Sequence, residues 1–142
     1  MAEPDVPAAA QGRAHFDRAR EAADAGDFDR AIDAYLNGLR LLPDDVSGGH
    51  IELRVVALQR SERGGAKPTP EEVKERLTAG GSPLDKMLNA EYLLAKDPEH
   101  LAYASSILRS NGPWRTAALI LTPFVYSHLV YSVVLINKKG SL

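Results

Sequence analysis

Four histidines are the residue type best able to bind a metal or shuttle protons at neutral pH: His15, His50, His100 and His128. None stands in HxxxH or HExxH spacing, which would put two imidazoles on one helix face for zinc. The chain has no cysteine, so thiolate nucleophiles, disulfides and cysteine-based metal sites are excluded. There is no GxSxG elbow and no GxxxxGK[ST] loop, and the stretch "RSERGGAKPTP" reads as a linker rather than a phosphate cradle. The sequence therefore names no acid–base pair, cofactor or metal, and the expectation is a protein without catalysis. Residues suited to recognition are Arg13, Phe16 and Arg20, which helical spacing of three and four puts on one face. Two guanidinium forks beside an aromatic ring suit an acidic or carboxylate-bearing peptide. The same arginines also lie at helical spacing from Asp17, Glu21 and Asp24, as on an ordinary solvated face.

The elements that must position these residues are all helical. From Arg13 to Ala25, Ala14, Ala19, Ala22 and Ala23 recur with Phe16 at three- and four-residue steps, giving a small-residue face. Gly26-Asp27 breaks that helix. Phe28, Ala31, Ile32, Tyr35, Leu39 and Leu42 mark the buried stripe of the next, which Pro43-Asp44-Asp45 ends. So short a turn makes the two an αα-hairpin. A third helix is expected over about residues 49–60, with apolar positions too dense for a surface helix. Residues 61–81 read as an insertion holding a short helix, capped by Thr69 with Pro70 in its first position and stopped by Gly80-Gly81. Ser82-Pro83 opens another helix, with Leu84, Met87, Leu88, Glu91, Tyr92, Leu94 and Ala95 on its stripe up to Asp97-Pro98. A last one carries Leu101, Ala104, Ser105 and Leu108 and ends near Gly112-Pro113.

Over residues 13–45 this pattern resembles a tetratricopeptide repeat, a helix-turn-helix unit of roughly 34 residues that stacks into a superhelix. The resemblance rests on Ala19, Gly26-Asp27-Phe28, Ala31-Ile32, Tyr35 and Pro43, while Gly38 stands where the family more often has Ala. That departure weakens the second helix by roughly 1 kcal/mol. Pro43 and Pro98 are 55 residues apart, the length of one repeat plus residues 61–81, which points to a second unit split by the insertion. Gly112, Trp114 and Ala117 repeat the offsets of Gly26, Phe28 and Ala31 and hint at a third. The resemblance implies an all-α stack of antiparallel hairpins, about three repeats, whose first helices line a groove for a partner's peptide segment. The lysine and asparagine set with which some members clamp a C-terminus is missing, so that specificity does not carry over.

Net charge is −2, but residues 1–50 hold ten acids against five bases and residues 101–142 hold no acid against four bases. The acidic front half argues against nucleic acid as a partner. Residues 1–12, with two prolines and no apolar core, read as a flexible lead-in rather than a signal peptide. The domain expected is residues 13–122, followed by an apolar tail over 123–142. Residues 117–136 contain no Asp, Glu, Lys or Arg, with Arg115 before them and Lys138-Lys139 after; as a helix they would run roughly 30 Å. Several readings stay open for this segment. It packs within the domain or against a partner, self-association included, it anchors an adaptor in a membrane with the repeats facing the cytosol, or it is a tail that is poorly specified or not native to the module. The location expected is cytoplasmic, or membrane-associated through this segment.

Overall fold

The structure, a computed structural model, describes residues 6–109. These form six α-helices: α1 Val6–Asp24, α2 Phe28–Leu41, α3 Ile51–Glu62, α4 Pro70–Thr78, α5 Pro83–Lys96 and α6 Leu101–Arg109. The fold is all-α, with α1 against α2, α2 against α3 and α5, α3 against α5, and both α4 and α6 against α5. A single core runs through it, from Phe16, Ala19 and Ala22 through Ile32, Tyr35, Leu39 and Leu53 to Met87, Leu93, Leu94 and Ile107.

Each boundary has a local cause. Gly26 takes φ +79° as its N–H reaches Ala23 O and that of Asp27 reaches Ala22 O, the paired bonds of a Schellman turn. Asp27 then caps α2, its side chain accepting from Arg30 N at 3.2 Å. Thr69 caps α4 and Ser82 caps α5, each followed by proline. Those starts are where the sequence reading put them.

Three features depart from it. The helix expected from Arg13 begins at Val6, so residues 6–12 are its opening turns rather than a lead-in. Ala8, Ala9 and Ala10 favour a helix, and Gly12 lets Leu42 lie against the backbone, since a Cβ there would sit 2.7 Å from Leu42 Cδ1. Between α2 and α3, Val46–His50 forms a π-helical turn, because the carbonyl of Asp45 accepts from the N–H of both Gly49 and His50 at 3.2 Å. Gly38, which reads as a weakness in α2, is a requirement of packing. A Cβ there would fall 2.3 Å from Phe16 Cε1.

Residues 61–81 do carry a short helix, and none of α4 is fully buried, so it lies on the outside of α5. Among the described residues no helix is long and apolar enough to cross a membrane. Residues 117–136, and the Gly112, Trp114 and Ala117 of the hinted third unit, lie outside the described residues.

Candidate functional site

The π-helical turn delivers His50 into the core, where it is 1% exposed. Its Nδ1–H donates to Glu91 Oε1 and its Nε2–H to the carbonyl of Pro43, both at 2.7 Å. Neither a carboxylate nor a carbonyl can donate, so both ring nitrogens carry hydrogen and the ring is an imidazolium. Arg54 Nη2 donates to the other Glu91 oxygen at 3.0 Å, and Arg54 Nη1 donates to Leu94 O at 3.4 Å. One buried carboxylate thus joins α3, α5 and the turn after α2.

Burial alone would lower the basicity of His50, but its hydrogen bond to Glu91, the charge of Glu91 and the Pro43 carbonyl together hold it above its ordinary value. Burial would raise Glu91, and the His50 bond and charge followed by Arg54 pull it below the ordinary carboxylate value instead. Arg54 is lowered by burial, with Glu91 opposing. Arg54 Nε has no hydrogen-bond partner among the described residues. Since all three side chains are at most 1% exposed, no substrate reaches them. The triad is a brace that fixes α5 under the surface described next.

That surface is a cleft of about 370 Å³ between α2, α4 and α5. Asp33, Asn37 and Arg40 line it from α2, Arg76 from α4, and Asn89 and Tyr92 from α5. Spacings of four and three put the α2 set on one helix face. On the far wall the Arg76 guanidinium lies 3.7 Å over the Tyr92 ring and donates to Asn89 Oδ1 at 3.4 Å, while Tyr92 donates its hydroxyl hydrogen to Glu72. Burial, with Glu72 next, pushes the Tyr92 phenol up to about 12, so it stays a donor at neutral pH. Arg40 donates to Asp85 at 3.1 Å. Asp33 and Asn37 are exposed and have no side-chain hydrogen bond among the described residues. The cleft therefore presents unused donors and acceptors on one wall and a rigid cation on an aromatic plate on the other.

Of Arg13, Phe16 and Arg20, the structure leaves the two arginines on the outside of α1 and turns the phenylalanine inward. Arg13 and Arg20 are exposed, and Arg20 pairs with Asp17. Phe16 is 2% exposed; its ring packs 6.1 Å from that of Tyr35 and over Gly38 and Gly49. As a residue for a guest to touch, Phe16 is corrected to a core residue, because two facing glycines make a socket its ring fills. The histidines scatter too: His50 is in the brace, His100 stacks on Tyr103 at 4.1 Å, His15 is half-buried on α1, and His128 is outside the described residues. No group of histidines and acids able to hold a metal occurs among the described residues.

Sequence reasoning did not single out Asp33, Asn37, Arg40, Arg76 or Asn89, since nothing local marks residues from three helices as neighbours. It did place Glu91 on an apolar stripe, and a carboxylate there is the signature of a buried partner. No protein-family model, curated protein or solved structure matches the chain.

Proposed function

We propose that this protein is an interaction module of tetratricopeptide-like repeats that acts without catalysis and holds a peptide segment of a protein partner. The observation that carries the reading is the cleft between α2, α4 and α5. It is open to solvent, one of its helices, α5, is tied beneath by the Glu91 brace, and it offers amide, carboxylate and guanidinium groups that match a peptide backbone and polar side chains. The α1–α2 hairpin with its Gly26-Asp27 turn and interlocking small residues, and α3 packed on both α2 and α5, support the repeat character. Residues 61–81 then act as an insertion that supplies the cleft's outer wall.

The test is selection of binders to the full chain from a random displayed peptide library. Asn37→Trp, which fills the cleft from an exposed position, is expected to weaken the selected peptides by about tenfold or more. Peptides that bind this variant as tightly as the parent would place the guest elsewhere. Arg13 and Arg20 form a second proposed contact along the outer face of α1. Arg13→Glu combined with Arg20→Glu lowers affinity if they touch the guest, and unchanged affinity assigns it to the cleft alone.

A further inference from the structure

A second cleft, of about 280 Å³, adjoins the first on the other side of Arg76 and Asn89, which line both. It lies between α4, α5 and α6, where Ser106 closes one side and Leu77 and Lys86 stand at the walls. Its character differs from that of its neighbour. Leu77, 55% exposed, is the more exposed of the two large apolar side chains that face solvent in the described residues. Both charged residues lining the cleft are cations, Arg76 and Lys86, and no acid lines it. Neither cation has a carboxylate within ion-pair distance among the described residues. Asp85, which directly precedes Lys86, is taken by Arg40 and Ser82. Arg76 is further held in place by the Tyr92 ring, so its edge is presented with little loss of side-chain freedom on binding.

We propose that this second cleft selects the partner: it takes an acidic segment bearing an apolar side chain, with the apolar group on Leu77 and carboxylates on Arg76 and Lys86. The occupant is a segment of another molecule, because both charges lining the cleft are cations and no carboxylate of the described residues pairs with either. The proposal rests on the peptide-holding reading above and adds to it the chemical class of the guest.

The experiment uses the same displayed library on the full chain and on two variants at exposed positions, Lys86→Glu and Leu77→Ser, with circular dichroism confirming the fold. Arg76 is left intact because it also fastens α4. The parent is expected to enrich peptides rich in Asp and Glu around an apolar residue. Their affinity falls at least about tenfold with Lys86→Glu and several-fold with Leu77→Ser, and it weakens as salt is added. Enriched peptides without acidic bias, or acidic peptides indifferent to both substitutions, overturn the assignment and leave the interaction module standing. If no peptide of any composition is enriched, both readings fall. If the parent instead self-associates and Lys86→Glu dissolves the dimer, the occupant is a second copy and the partner assignment is wrong.

Discussion

Glu91 sits between two buried cations, so the brace as a whole carries one positive charge more than negative. Removing the anion leaves two cations without a counter-charge in the core, and Glu91→Gln is expected to cost about 3–5 kcal/mol. Arg54→Met should cost clearly less, since it removes the surplus cation and the unpaired Nε while leaving His50 and Glu91 as a neutral pair. Urea midpoints compared at constant slope measure both, and an Arg54→Met loss equal to that of Glu91→Gln contradicts the charge argument. Gly38 makes a second residue-scale case. Helix propensity alone says Gly38→Ala stabilises by about 1 kcal/mol, whereas overlap with the Phe16 ring costs about 1–3 kcal/mol. The variant is therefore expected to be less stable, and Phe16→Leu in the same chain should recover part of the loss. The repeat resemblance marked Gly38 as a departure in α2, but not that a ring from α1 occupies its missing Cβ.

At the scale of elements, α4 is held almost entirely by polar contacts. Its apolar anchor is the partly buried Val73, and the rest of its attachment is Arg76 on Tyr92 and Asn89, Tyr92 on Glu72, and Asn89 Nδ2 donating to Ala79 O at 3.1 Å. With so little burial, its local opening free energy lies well below that of α2 or α5. Amide exchange in α4 is expected to be the fastest of the inter-cleft helices, and Tyr92→Phe should speed it further by removing the bond to Glu72. Protection unchanged over residues 70–78 would show that α4 is fastened by something other than these contacts. The caps at Asp27, Thr69 and Ser82 were legible because a cap is a local event of three or four residues. The start of α1 was not, because alanine propensity alone is a weak signal and the contact of Gly12 with Leu42, at the end of α2, is not local.

The whole molecule's response to pH follows from the brace. His50 is held above its ordinary 6.5, so its stabilising share is complete below 6.5 and is lost as pH rises through its folded value. Glu91 is held below its ordinary 4.5, so its share is complete above 4.5 and is lost as pH falls through its folded value. The brace is whole between those two ordinary values. Its contribution declines on either side. Urea midpoints across pH are expected to fall on the alkaline side for the parent and to flatten there for His50→Gln, which has no proton to lose. An equal alkaline decline in both proteins would assign that slope to groups other than His50.

The all-α class, the α1–α2 hairpin, the short helix within residues 61–81 and the order of stops along the chain followed from the sequence alone, because periodicity, caps and turns act over a few neighbouring residues. The seat of Phe16 between two glycines, the charged brace around Glu91 and the clefts beside α4 were decided by tertiary structure. Each depends on side chains from helices far apart in sequence meeting at distances of a few ångströms, and no local pattern encodes which faces will meet.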